Sequence, residues 1–275
     1  MTEYDEPLEP IPLGQSDPWG APPPAGSRSS HHGPSAAVVA LVIAMIIAGL
    51  TGYFVTSATR TGKSVQSANA LPADPRRSAL TAIVVQRQDV TADYIVGLIN
   101  DGDRLTEPTL DLCNGTFPSE KLRTARLQVA EIATDDTVPL STEAVLYKNA
   151  AATAQAFTEL QQVARTCPHR PVPSPTGGDT LQTTFNPPPD KNWPHTPGVD
   201  RLAYDFTSLR TGAGAGEQSA HFVTAYLRRG RVFLGVYLAR PDGPQPAVRG
   251  RTTVPAIVQL FEKRLAALPT SVVNG

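Results

Sequence analysis

The stretch AHFVTAYLRRGRVFLGVYLAR, Ala220 to Arg240, is the part of the chain whose reading decides the fold. Apolar residues fall on both faces of each half, the pattern of strands covered on both sides. Gly230 separates the halves and can take the positive φ of a tight turn. Ala220 to Arg229 and Arg231 to Arg240 are therefore expected to be the central hairpin of a sheet.

Other elements assemble outward from that pair. Arg201 to Thr207 (RLAYDFT) alternates, with Leu202, Tyr204 and Phe206 on one face. Arg126 to Ala133 (RLQVAEIA) and Ser141 to Tyr147 (STEAVLY) are β-branched and near-alternating, so both predict strands. Thr81 to Gln88 (TAIVVQRQ) is read as a strand, and Val90 to Asn100 as a short helix or extended segment. Asn149 to Thr166 predicts a helix whose apolar stripe is Ala150, Ala154, Phe157, Leu160 and Ala164, stopped by Pro168. Thr252, Thr253 and Pro255 open a second helix that turns Ile257, Leu260, Phe261, Leu265 and Leu268 inward. Strands, helix, strands, helix with hairpin connections describe an α+β fold, an antiparallel sheet packed by helices. Pro168 to Pro197 holds nine prolines and is expected to be an irregular surface excursion, the kind of loop that forms a lid or binding surface. Gly212, Gly214 and Gly216 lack phosphate-loop spacing and read as a flexible link between Leu209 and Ser219.

The chain has 275 residues, and a second segment fixes its organisation. Ala36 to Val55 reads AAVVALVIAMIIAGLTGYFV, with no charged residue between Arg28 and Arg60. Twenty residues at ~1.5 Å each span the ~30 Å hydrocarbon core of a bilayer. A single transmembrane helix is expected over residues 35–57, acting as an uncleaved signal anchor because an acidic tail precedes it. That tail, residues 1–34, carries eight prolines and five carboxylates against one arginine, and is expected to be disordered. Residues 58–78 read as a stalk, 79–269 as one domain and 270–275 as a C-terminal tail.

With 24 basic and 25 acidic residues, net charge −1, the chain has no footprint for wrapping nucleic acid. The histidines, His31, His32, His169, His195 and His221, form no HExxH or comparable metal array, and no GxSxG elbow or CxxC pair is present. No catalytic residue, metal site or cofactor is therefore assigned, and the chain is read as a protein that is not an enzyme. His221, inside a strand, reads as a hydrogen-bonded structural histidine. Residues 201–275 carry ten basic and four acidic side chains, and Arg228, Arg229 and Arg231 crowd one hairpin tip. These three are the candidate binding residues for an anionic envelope ligand or a partner in a membrane complex. A solvated edge blunted by charge is the alternative reading.

Cys113 and Cys167 both lie in the domain, and an even count beyond a signal anchor suggests a disulfide; two free buried thiols are the alternative. Orientation sets two signals against each other. Arg60, Lys63, Arg76 and Arg77 favour a cytoplasmic domain by the positive-inside count. The cysteine pair favours the outside, and large domains translocate largely regardless of charge, so the expected topology is N-terminus cytoplasmic and domain extracytoplasmic.

The segments LDLCNGTFPSEKLRTARLQVA (Leu110 to Ala130) and STEAVLYKNAAATAQAFTELQQVARTC (Ser141 to Cys167) resemble actinobacterial sensor-domain proteins related to the extracellular domain of H-type mycobacterial Ser/Thr protein kinases. The shared pattern is a cysteine, a strand, a strand-to-helix passage with Phe157 and Leu160, and a second cysteine at the helix end. The resemblance implies one membrane anchor and a disulfide-stapled α+β domain outside the cell that binds a ligand in a cleft. It departs from the kinases in that no kinase domain precedes the apolar segment, and in having fewer cysteines. The expected function is a membrane-anchored sensor or ligand-binding domain, with a structural accessory subunit of an envelope or respiratory complex as the alternative.

Overall fold

The computed structural model describes residues 75–173, 179–212, 216–239, 245 and 247–275. The apolar stretch 36–55, the acidic tail and most of the stalk lie outside the described residues. No described helix is long and apolar enough to cross a membrane.

Helix α1 (Pro75–Ile83) is followed by strands β1 (Tyr94–Leu98), β2 (Arg123–Ala133) and β3 (Leu140–Tyr147). Helix α2 (Ala150–Thr166) leads to β4 (Val172–Pro173), β5 (Asp179–Phe185), β6 (Asp200–Gly212), β7 (Gly216–Arg229) and β8 (Val232–Ala239). Helices α3 (Val254–Ala266) and α4 (Thr270–Asn274) close the chain. The eight strands form one sheet in the order β1-β2-β3-β8-β7-β6-β5-β4, and every neighbouring pair is antiparallel. Two meanders, β1 to β3 and β4 to β8, thus meet where β3 pairs with β8, and α2 carries the chain from one to the other.

The predicted central hairpin is at the centre. β7 and β8 occupy the two middle places, with Ala225 opposite Val236 and Leu227 opposite Leu234. Their side chains alternate between two cores. Val232, Leu234, Val236, Leu238, Ala225 and Leu227 pack with Leu80, Ile83, Ile257, Phe261 and Leu265 of α1 and α3. Phe233, Tyr237, Phe222 and Tyr226 pack on the opposite face with Ala156, Phe157 and Leu160 of α2. Gly230 has φ +56°, and a Cβ there would collide with the Val273 carbonyl oxygen, so conformation and space both require glycine. Asn149 caps α2 by accepting a hydrogen bond from the Ala152 amide at 2.9 Å.

Several elements differ from the reading of the sequence. TAIVVQRQ is not a strand: α1 begins inside the expected stalk, at Pro75, and buries Ala79, Leu80 and Ile83 at helical spacing. Val84 and Val85 then plug the core beyond the helix, and the Val85 amide donates to Thr142 Oγ1 at 2.9 Å instead of to a ladder. Of the two states expected for Val90 to Asn100, the extended one is found, as the edge strand β1. The proline-rich excursion contains β4, the edge strand, where Pro173 removes no ladder bond that is needed, and β5 inside it, whose residues Asp179–Phe185 include no proline. The glycine-rich link is the far end of a long hairpin, because β6 runs to Gly212 and β7 starts at Gly216. Residues 270–274 are helical, with Val273 buried, so this end of the chain belongs to the domain.

Candidate functional site

Cys113 and Cys167 form a disulfide, with Cα atoms 5.6 Å apart across 54 residues of sequence. Cys113 and Asn114 both stand in the left-handed region, at φ 54° and 56°. The bond ties the long connection between β1 and β2 to the end of α2. That connection places Leu110, Leu112 and Phe117 in the aromatic core. It also closes over a buried polar cluster. Arg126 Nε donates to Glu143 Oε1 at 2.5 Å, and its Nη2 to Gln128 Oε1 at 2.6 Å. The guanidinium reaches the Asp101 and Pro108 carbonyls of the connection at 3.1 and 3.3 Å. Tyr237 Oη donates to Glu143 Oε2 at 3.2 Å. Burial pushes the Glu143 carboxyl above its usual range, and Arg126 draws it back part of the way. The phenols of Tyr226 and Tyr237 are raised by burial and by the carboxylates of Glu143 and Asp111.

The tip of the β7–β8 hairpin brings Arg228, Arg229 and Arg231 together, and each is engaged within the fold. Arg228 Nε donates to Asp200 Oδ2 at 2.9 Å, and its guanidinium lies 5.0 Å from the centre of the Phe157 ring. Arg229 Nη1 donates to the carbonyls of Leu265 and Leu268 at 3.2 and 2.6 Å. Arg231 Nε donates to the Val272 carbonyl at 2.7 Å, and its amide to that of Val273 at 2.9 Å. Arg229 and Arg231 thereby donate to carbonyls at the ends of α3 and α4, that of Leu265 in addition to the Leu268 amide. All three side chains are half-buried.

An aromatic row crosses the α2 face of the sheet. Phe233 meets Phe157 edge-on at 5.9 Å and Tyr226 at 5.7 Å, and Tyr226 meets Tyr204 at 6.1 Å. Phe185 sits 5.7 Å from Tyr204 and 5.8 Å from Phe206, and Phe206 stacks on Phe222 at 5.7 Å. The middle of the row is buried, whereas its β5–β6 end, made by Phe185, Leu202 and Tyr204, is half-buried. Burial lifts the Tyr204 phenol to about 12 against the opposing effect of Arg165 at the end of α2. Leu202, Tyr204 and Phe206 share this face, as their alternation predicts.

His221 Nε2 lies 2.7 Å from Asp205 Oδ1, which also accepts from Asn186 Nδ2 at 2.6 Å, so this histidine joins two strands and the turn after β5. The proline-rich segment before β6 is fastened down. Arg201 donates to Asp190 Oδ2 at 3.1 Å, the Pro194 carbonyl at 2.9 Å and Glu262 Oε1 of α3 at 2.6 Å, with Trp193 lying under the guanidinium at 5.4 Å. Described residues of this segment are a strap on α3. Among the described residues no group of three or more His, Cys, Asp or Glu side chains could hold a metal ion. The open end of the row offers apolar and aromatic contact.

No protein-family model matches the chain, and no curated protein matches it. Among solved structures the extracellular domain of PknH from Mycobacterium tuberculosis is similar at 11% sequence identity, covering 71% of this chain and 90% of that chain with a TM-score of 0.33. The resemblance is weak, and the functional reading of this chain rests on its own residues.

Proposed function

We propose that the chain is a membrane-anchored, extracytoplasmic sensor or ligand-binding domain without catalytic activity. The observation that carries this reading is the Cys113–Cys167 disulfide, because such bonds persist in oxidising compartments and the apolar stretch 36–55 supplies an anchor of bilayer length. The binding face we favour is the open end of the aromatic row, Phe185, Leu202 and Tyr204, which fits an apolar or aromatic ligand. We favour it over Arg228, Arg229 and Arg231 as a site for an anionic ligand, since those guanidiniums already hold Asp200 and the carbonyls of α3 and α4.

The reading is tested by photocrosslinking in the full-length chain at its native membrane. A photoreactive phenylalanine analogue at position 185 or 204 should yield a defined adduct by mass spectrometry, and the same residue at exposed Thr158 should yield none. No adduct at 185 or 204, or an equal one at all three positions, would remove this face as a binding surface. A second reading, an accessory subunit docked on a membrane complex, is favoured by Ile95, Leu98 and Leu105, which are 52%, 40% and 43% exposed.

A further inference from the structure

Glu131 lies in β2 between Val96 of β1 and Leu140 of β3. Leu140 and the preceding same-face residue of β2, Val129, belong to the core packed by α1 and α3, and half-buried Val96 packs against it, so the register places a carboxylate among apolar neighbours. It is fully buried, and neither of its oxygens has a hydrogen-bond partner. Other buried carboxylates of the domain are matched by arginine: Glu143 by Arg126, Glu262 by Arg201, and Asp89 by Arg249 and Arg264 at 2.7 and 2.6 Å.

The charged and titratable groups around Glu131 reinforce the conflict. From the turn after α1 comes Asp89, whose carboxyl burial would raise but which Arg264, Arg249 and the Gln86 amide hold below its usual range, so it stays ionised. The two guanidiniums reach this region from α3 and from the turn at residues 248–251, and both end on Asp89. Arg87, on the exposed side of the same turn, donates to the Val90 and Thr91 carbonyls. From just before β1 comes Asp93, from β1 the Tyr94 phenol, and from the β2–β3 turn Asp135; burial first, then Glu131 and both aspartates, raise that phenol. On β3 the neighbours are Leu140 and Thr142, which carry no charge.

We propose that Glu131 is a proton-operated latch: protonated, it lets β1 and the segment from Val84 to Val90 close on the sheet, and ionised, it forces this edge to admit water. Burial first, and then the Asp89 charge, raise the Glu131 carboxyl from the usual 4.5 to about 7. The folded value lies above the unfolded one, so the stabilisation is complete below about pH 4.5 and is lost as pH rises through about 7. The edge that yields is β1, a five-residue strand paired on one side only, with Ile95 and Leu98 exposed. Mild acid therefore tightens this end of the domain, whatever the aromatic face binds.

Hydrogen exchange on the full-length chain in lipid nanodiscs tests the latch, with rates corrected for intrinsic pH dependence. Protection of peptides spanning residues 84–98 should fall about tenfold or more from about pH 5.5 to about pH 8, while peptides of the β7–β8 hairpin hold steady. In Glu131→Gln the 84–98 protection should stay level across that range. If this variant does not fold, Glu131→Leu carries the same expectation and places an apolar side chain there. Level protection in the unmodified chain, or a parallel fall in the folded variant, would overturn the proposal.

Discussion

Replacing Arg126 with alanine is expected to destabilise the domain by about 3 to 5 kcal/mol, the usual cost of leaving a buried charge without its partner. Glu143 is fully buried and would lose Arg126, its cation at hydrogen-bond distance, keeping the Tyr237 hydroxyl at 3.2 Å and the Thr109 side chain. The Asp101 and Pro108 carbonyls of the covering connection would lose a donor at the same time. Urea unfolding of the full-length chain in detergent measures the loss. Arg126→Met combined with Glu143→Leu should recover most of it, because an apolar pair of similar volume removes the stranded charge. A loss below about 1 kcal/mol in the single variant would mean that Glu143 is hydrated or already protonated, and that the connection does not seal the cluster.

Cys113→Ser is expected to cost about 2 to 5 kcal/mol. The bond closes a loop of 54 residues, for which chain entropy alone gives about 4 kcal/mol. Cys113 stands at φ 54°, a conformation uncommon for a non-glycine residue. Reductant should bring the unmodified protein to the unfolding midpoint of the variant. Coincident midpoints with and without the bond would show that the connection is held by Leu110, Leu112 and Phe117 alone.

The elements that were legible in the sequence are those whose signal is local. Ala220 to Arg240 carries apolar residues on both faces of both halves and a glycine at the one position needing positive φ, and these became β7, β8 and their turn. The periodic runs of α2 and α3 were equally plain, although α2 buries Ala152 and Ala156 while the expected Ala150 is exposed and Ala154 only half-buried. The α1 region misled because Ile83, Val84 and Val85 are β-branched, and tertiary burial rather than propensity decides their state. β5 was hidden by the prolines on either side of it, which fall outside Asp179–Phe185 or on the edge strand β4 and so take no bond from its ladder.

The charged groups were less legible, and for one physical reason. Arg228, Arg229 and Arg231 read as solvent-facing because their partners are remote: Arg229 and Arg231 end on backbone carbonyls 36 to 41 residues later, and carbonyls leave no mark on a sequence. Arg126 and Gln128 alternate with Leu127 and Val129, as the wet face of a half-buried strand would, until the disulfide-tethered connection covers them. Glu131 continues the other, apolar series, the one place in β2 where the alternation itself marks a carboxylate as misplaced.

The most direct test of the extracytoplasmic reading is the accessibility and redox state of Cys113 and Cys167 in intact spheroplasts expressing the full-length chain. A membrane-impermeant maleimide alone should label neither cysteine. After treatment with a membrane-impermeant reductant and mild denaturant that spares the membrane, it should label both, adding two tags to the chain. Thiols that stay unlabelled under both conditions and react only after lysis, without any need for reductant, would place the domain in the cytoplasm and contradict the account.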